Sequence, residues 1–306
     1  MEIDNSNDKV HAIILTLNES RHIARCIGSC KDHVDTITVV DSGSVDDTVK
    51  IAQELGASVI YNPWINYASQ LNFGISFLSD RGGWLMRIDA DEVVDPKINS
   101  RLTEIVSRVE GECNGILVQR RIYFLGRRIK RGAIEPSWQL RLWRNGSGRC
   151  EQRWMDEQVV VTGSVQKSTV VFSDINLNTM TWWTEKHNQY ASREAIDVLN
   201  SRRGFLKQKT LPVVGASPQA RLRRLAKEEI YLRTPAGVRA IAYFLYRYVL
   251  RFGFLDGVPG FYFHLLQGLW YRSLVDAKVL EIEKLMKEKD MSVESAIKAC
   301  TGIVVD

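Results

Sequence analysis

The sequence predicts an α/β fold with a mostly parallel central sheet and flanking helices, followed by a helical C-terminal region. Three observations lead there. Short apolar runs alternate with segments of helical periodicity from Val10 to Asp89, several of those runs stop abruptly at polar residues, and strand signals give way to helical ones from Asn178 onward. Alternating strands and helices imply right-handed crossovers. These gather the C-terminal ends of the strands along one edge, where open α/β sheets bind their ligands.

Val10 to Leu17 reads as a buried first strand that delivers Asn18-Glu19-Ser20 to that edge. Ile23, Cys26, Ile27 and Cys30 recur at helical spacing, so both cysteines are expected on the core face of the first helix. Val34 to Val40 gives a second strand ending in Asp41-Ser42-Gly43-Ser44-Val45-Asp46-Asp47-Thr48. Gly43 permits a turn there, Ser44 is expected to cap the next helix, and Asp46 and Asp47 fall in its first turn. An acidic helix start complements the helix dipole but repels phosphate, so this is no phosphate cradle. Asp41 is placed to accept hydrogen bonds from a base or a ribose; the plainer reading is a turn with capping aspartates.

Ala57 to Tyr61 makes a third strand, and Trp64 to Leu78 a helix with Gln70 and Asn72 polar among apolar positions. Trp84 to Ile88 is a fourth strand, ending in Asp89-Ala90-Asp91-Glu92. Asp89 and Asp91 stand at alternate positions and are expected to face the same way, which would let them share one hard divalent cation. The plainer reading is a solvated turn or a helix cap before Asp95-Pro96.

Taken in order, Thr16-Leu17-Asn18-Glu19, Asp41-Ser42-Gly43-Ser44 with Asp46-Asp47-Thr48, Gln70 with Asn72, and Asp89-Ala90-Asp91 resemble the signature of family 2 glycosyltransferases of the GT-A fold, over roughly the first third of the chain. The resemblance implies an inverting enzyme that uses a nucleotide-diphosphate sugar, UDP- or GDP-linked, with Mg²⁺ or Mn²⁺. Residues 16–19, 41–43, Gln70, Asn72 and Ala90 would line the donor site. Within it Asn18, Glu19 and Asp41 would hold the nucleoside, Asp89 would touch ribose or sugar, and Asp91 would coordinate the metal.

Gly115 to Phe124 and Ser137 to Trp143 read as strands joined by the basic loop from Gly126 to Gly132. Arg153 to Gln158 follows. An inverting transfer needs one carboxylate to take the acceptor's proton, and Asp156 and Glu157 are the candidates. Adjacent strand residues face opposite ways, and the resemblance favours Glu157. Trp138 and Trp154 could stack on a sugar or be core.

A domain boundary is expected near residue 175, with residues 176–306 helical. Trp183, His187, Tyr190 and Glu194 share one helix face, where His187 reads as structural or acceptor-contacting. Residues 201–224 read as a linker. Ala236 to Leu255 is strongly apolar, but Arg239, Arg247 and Arg251 argue against spanning a bilayer, at about 3 kcal/mol each. A helix lying in the lipid interface is expected, with arginines toward headgroups and Ile241, Phe244, Leu245 and Val249 toward the tails. Asp256 to Gly260 is expected to break the chain before a second apolar helix from Phe261. The alternative use of this hairpin is a soluble subdomain or a homo-oligomer contact. Similar tails in bacterial enzymes of this kind imply a lipid-linked saccharide acceptor at the cytoplasmic membrane face, as in lipopolysaccharide or capsule synthesis.

The net charge of +5 is concentrated in Arg120, Arg121, Arg127, Arg128, Lys130 and Arg131, and in Arg221, Arg223, Arg224 and Lys227. Such clusters suit phosphates or a membrane surface; no nucleic-acid motif accompanies them. Five scattered cysteines form neither a disulfide framework nor a zinc pattern, and the polar N-terminus carries no secretory signal, so a cytoplasmic protein is expected, with peripheral contact at the cytoplasmic face of the inner membrane as one of the two uses open to the C-terminal hairpin. A dehydrogenase or P-loop ATPase is disfavoured because neither glycine-rich motif occurs. A nucleotidyltransferase of related topology and a non-catalytic binding scaffold remain as alternatives.

Overall fold

β1 (Val10–Thr16), α1 (Ile23–Cys30), β2 (Thr36–Asp41), α2 (Thr48–Glu54), β3 (Ser58–Tyr61), α3 (Tyr67–Phe77) and β4 (Trp84–Asp89) succeed one another in the computed structural model as the alternation predicts. The structure describes residues 6–95, 102–109, 111–151, 158–206, 235 and 237–305. These four strands pair in the order β3-β2-β1-β4, all parallel. β1 lies between two neighbours and under helices, so its sequence is a continuous apolar run rather than an alternating one. α1 buries Ile23, Cys26, Ile27 and Cys30 against it, and all five cysteines are free. Gly74 lets α3 lie close on the opposite face: a Cβ there would sit 2.9 Å from Ile13 Cγ2 and 3.0 Å from Val40 Cγ2.

The sheet continues through β5 (Glu92–Val94), β6 (Cys113–Phe124), β7 (Arg127–Ile129), β8 (Ser137–Arg144) and β11 (Ser164–Ile175), with α4 (Leu102–Ser107) packed beside it. β8 runs antiparallel to β4 and to β6, β6 is parallel to β11, and β5 closes the edge antiparallel to β11. The segment expected to be a basic loop contains β7, which folds back on β6 because Ile129 is buried opposite Ile122. β9 (Gly148–Cys150) and β10 (Val159–Val161) form a separate small ribbon.

The helical region comprises α5 (Met180–Arg203), α6 (Val238–Leu245), α7 (Gly257–His264), α8 (Tyr271–Lys289) and α9 (Val293–Thr301), with π-helical turns at Tyr246–Leu250 and Leu265–Trp270. α5 starts at Thr179, whose side chain accepts from Trp182 N, and stops at Gly204 in the left-handed region (φ +66°). Ala191, Ala195 and Leu199 of α5 pack with Val275, Val279 and Ile282 of α8 and Ile297 of α9 in a core of their own. A smaller cluster of Phe124, Ile129, Phe263 and Trp183 fastens these helices to the β6–β7 hairpin.

Three expectations are corrected here. α2 begins at Thr48, not after Ser44; the Ser44 hydroxyl is held by the strand-end loops instead. The break at Asp256 to Gly260 is shorter than expected, because Pro259 sits in the first turn of α7, where a missing N–H costs nothing. Two of the three arginines of the stripe turn inward rather than toward headgroups, while Arg251 stays exposed. Arg239 is buried, with Nε donating to both Asp276 carboxylate oxygens at 2.9 and 3.0 Å, and the equally buried Arg247 donates to Gly132 O at 3.3 Å. Ile241, Leu245 and Val249 are exposed, whereas Phe244 is half-buried and stacked on Tyr248.

His264 fills the space left by two glycines: a Cβ on Gly132 or Gly253 would collide with its ring. Burial, with help from the neighbouring Arg247, pushes its pKa down to about 3. The unfolded chain therefore binds a proton near the ordinary value of 6.5 that the folded chain refuses, so stability is full above about pH 6.5 and falls as pH drops toward 3. Urea unfolding is expected to show a loss of about 2 kcal/mol from this group between about pH 6.5 and pH 5. His264→Gln is expected to flatten that slope by about one proton; an unchanged slope would contradict the assignment.

Candidate active site

Parallel pairing brings the C-terminal ends of β1, β2 and β4 together, with Thr16 opposite Asp41 and Leu15 opposite Asp89. The loops after β1 and β2 are laced to each other. Thr16 Oγ1 donates to Asp41 Oδ1 at 2.9 Å, Asn18 N to Ser44 Oγ at 2.8 Å, Val45 N to Asn18 Oδ1 at 2.9 Å, Glu19 N to Thr48 Oγ1 at 2.8 Å and Ser20 N to Asp46 Oδ2 at 3.1 Å. Asn18 accommodates this in the left-handed region (φ +56°), which asparagine tolerates.

Asp41 is buried and accepts from the hydroxyls of Thr16 and Ser44 and from the N–H groups of Gly43 and Ser44. Its carboxylate thus shapes the turn, with Ser42 N donating to Thr16 O at 3.0 Å and Gly43 at φ +98°. Leu17, Val45 and Tyr61 stand exposed around it. Glu19 is fixed by His22, whose Nδ1 lies 2.7 Å from Glu19 Oε2 while Leu177 N donates to Nε2 at 2.9 Å. An accepting Nε2 leaves the ring proton on Nδ1, aimed at the carboxylate.

Gln70 and Asn72 act beneath the rim. Gln70 Nε2 donates to Asn62 O at 3.0 Å and Pro63 O at 2.8 Å, holding the loop after β3. Asn72 exchanges two hydrogen bonds with the Cys150 backbone and so pins β9, the strand leading to Asp156 and Glu157. Those two acids and Trp154 lie outside the described residues.

β4 ends in a charge network that the sequence pattern does not reveal. Asp89 accepts from Arg87 Nε at 3.0 Å, Tyr67 Oη at 2.9 Å and Arg141 Nη2 at 3.1 Å. Burial opposes its charge, yet Arg141 and Arg87 hold its carboxyl well below the usual range. Glu92, fully buried, lies 2.6 Å from Arg141 Nη2 and 3.0 Å from Arg120 Nε, and burial pushes its pKa up. Arg120 also meets Asp174 at 2.5 Å, where burial outweighs the arginine and lifts the carboxyl to about 7. Arg87 and Arg141 interrupt apolar strands, a signal that each needs a buried acid.

Strand alternation does not govern Asp89 and Asp91. The strand stops at Asp89, residues 90–91 turn, and β5 restarts at Glu92, so the alternation that would align the two carboxylates is broken. Asp89 is engaged by arginines, whereas Asp91 is half-buried and, among the described residues, its Oδ2 accepts from Asn176 Nδ2 alone, at 3.1 Å. Among the described residues no group of three or more His, Cys, Asp or Glu is arranged to hold a metal. A single hard carboxylate still suits Mg²⁺ or Mn²⁺, which are commonly held by one or two carboxylates together with substrate phosphates. Asp91 fits that role, whereas Asp89 already accepts from Tyr67, Arg87 and Arg141.

Lys186 of α5 looks onto the same place. Burial opposes its charge, but Tyr190, Asp91 and Glu19 keep its pKa above the ordinary lysine value, and its Nζ lies 4.4 Å from the Trp182 ring. His187 stacks on Trp183 at 3.5 Å and, with burial lowering its pKa to about 4, reads as a neutral packing residue. Farther along α5, Gln189, Ser192 and Arg193 face Trp64 and Ile65 across a cleft of about 460 Å³.

A sequence profile of the family described as Glycosyl transferase family 2 matches residues 11–165. An uncharacterized glycosyltransferase of Rickettsia felis is 44% identical over 98 residues, 32% of this chain and 34% of that protein. Chondroitin synthase of Escherichia coli is 32% identical over 96 residues, 28% of this chain and 14% of that protein. The chain spans about a third of the length of the Rickettsia proteins it matches. Among solved structures, glucosyl-3-phosphoglycerate synthase from Mycobacterium tuberculosis, in complex with Mn²⁺, uridine diphosphate and glucosyl-3-phosphoglycerate, is similar with a TM-score of 0.30 and 21% identity, covering 38% of this chain and 44% of that one.

Proposed function

The chain belongs to glycosyl transferase family 2, and from that premise we propose that it moves a sugar, with inversion, from a UDP- or GDP-linked donor to a lipid-linked saccharide in cell-surface polysaccharide or lipopolysaccharide synthesis. The observation that carries this reading is the lacing of residues 16–20 to residues 41–48 beside the end of β4. Two rigidly joined loops make a rim on which a nucleoside can lie, with Leu17, Val45 and Tyr61 offering apolar surface and backbone groups offering polarity.

Asp91 would hold Mg²⁺ or Mn²⁺, which supplies charge stabilisation to the departing diphosphate when bound. Lys186 adds a protein cation on the same side. Asp89 is kept ionised by Arg87 and Arg141, ready to accept a hydrogen bond from ribose or sugar in exchange for that of Tyr67. Glu157, with Asp156 as the alternative, takes the acceptor's proton. The cleft beside Trp64, Gln189, Ser192 and Arg193 provides an aromatic wall and polar groups of the kind saccharides use, so the acceptor is assigned there. Residues 1–175 form the donor-binding unit in this scheme and residues 176–306 the acceptor-side unit.

The test is a panel of UDP- and GDP-sugars incubated with the full chain and Mn²⁺ or Mg²⁺, reading nucleoside diphosphate release. One donor is expected to be turned over in a metal-dependent way. Release of pyrophosphate from a nucleoside triphosphate with a sugar phosphate would instead establish nucleotidyl transfer.

A further inference from the structure

Between Pro235 and Val275 the sequence holds one carboxylate, Asp256, against four arginines. Asp256 is buried, with Oδ2 accepting from Lys130 N at 2.9 Å and Arg131 N at 2.8 Å, so it joins the start of α7 to the β6–β7 hairpin and shows no charge outward. Around this joint the surface is strongly apolar: Leu250 is 68% exposed, Val258 69%, Phe252 55%, Leu255 53% and Phe254 45%, and Leu125, at the tip of the hairpin that Asp256 anchors, is 57% exposed. A contiguous patch of this kind on a folded domain marks a place that something covers.

The rim says what. Arg121 and Arg128 of the hairpin are ion-paired to Asp95 and Glu135, but Arg127, Lys130 and Arg131 are exposed and carry no ion pair among the described residues. Arg251 is exposed as well, and its carbonyl accepts from Gly132 N at 2.9 Å. Arg127 reaches across to α7, where a Cβ on Gly257 would lie 3.3 Å from its Nη1. An apolar tip ringed by cations that, among the described residues, have no ion pair and no outward acid beside them complements an anionic lipid surface: aliphatic and aromatic side chains enter the acyl boundary while the cations meet phosphate. Among the described residues no helix is long and apolar enough to cross a membrane, so the contact such a surface suits is one made on a bilayer rather than through it.

We propose that Leu125, Leu250, Phe252, Phe254, Leu255 and Val258, rimmed by Arg127, Lys130, Arg131 and Arg251, form the surface by which this protein docks on anionic membranes. The proposal gives the lipid-linked acceptor of the preceding reading its route to the protein, yet its test involves no sugar transfer and stands or falls separately.

Sedimentation of the full chain with vesicles of phosphatidylcholine alone, or of phosphatidylcholine with phosphatidylglycerol, tests it. Binding is expected only to the anionic vesicles, weakened about fivefold for each cation removed in Arg127→Gln, Lys130→Gln and Arg131→Gln, and by rising salt. Phe254→Glu with Leu255→Glu is expected to abolish it, and because both side chains are exposed, an unchanged circular dichroism spectrum and melting temperature should accompany the loss. Equal binding to neutral vesicles, or none to either, would overturn the proposal. So would a concentration-dependent dimer that Phe254→Glu dissolves, since the patch would then be a contact between copies of this chain.

Discussion

Arg141→Met is expected to destabilise the protein by about 3–5 kcal/mol, the cost of leaving a buried carboxylate without its partner. Arg141 is 2% exposed and its Nη2 serves both Glu92 and Asp89. With it gone, Glu92 keeps Arg120 and the Asp89 N–H but loses its shorter ion pair. Two further measurements separate this cause from simple loss of packing. Glu92 is an acid whose pKa burial already raises, and losing Arg141 raises it further, so the penalty is absent below the ordinary value of 4.5 and grows with pH. The deficit in urea should therefore shrink toward acid pH. The double variant Arg141→Met with Glu92→Leu should recover much of the loss, because an apolar pair of similar volume replaces the ion pair. A pH-independent deficit with no recovery would assign Arg141 a purely steric role.

Asp91→Ala is expected to lower affinity for a nucleoside diphosphate in Mn²⁺ by about 100-fold or more, since even an outer-shell partner of a metal ligand is worth about 10–100-fold. Stability should barely change, because the Asp91 carboxylate is half-buried and its one hydrogen bond among the described residues, from Asn176, is neutral. Asp89→Asn provides the contrast: it keeps a hydrogen-bonding side chain but strips a charge from two arginines, so it should impair folding more than metal binding. Glu157→Gln should leave nucleotide affinity intact while turnover falls about 100- to 10,000-fold, the worth of a general base. Isothermal titration with and without Mn²⁺ distinguishes the three. Unchanged titrations in Asp91→Ala would remove Asp91 from the site.

The parts of this architecture that repeat locally were legible. An apolar run ending in Asn18, Asp41 or Asp89 announces a strand and its exit side, and the laced loops lie where those ends pointed. Family resemblance rested on the same residues, and the family profile covers them. What escaped depends on long-range pairing. Arg87, Arg120 and Arg141 converge on Asp89, Glu92 and Asp174 only because β8 inserts between β4 and β6 and because β11 returns beside β6, an order that periodicity does not encode. Spacing also showed that Arg239, Arg247 and Arg251 share a stripe without showing which way it turns. Asp276 and the Gly132 carbonyl, far away in the chain, draw Arg239 and Arg247 inward and leave Arg251 exposed. Likewise Asp89 and Asp91 alternate in sequence, but a strand must persist for alternation to mean a shared face, and here it ends between them.

The decisive measurement is thermal unfolding of the full chain with UDP or GDP, each in the presence and absence of Mn²⁺ or Mg²⁺. One nucleotide is expected to stabilise the protein only when the metal is present, by about 2.7 kcal/mol at a concentration about 100 times its Kd. Stabilisation of equal size in chelator, or no response to either diphosphate with either metal, would contradict the assignment of the laced loops and Asp91 as a nucleotide-sugar site.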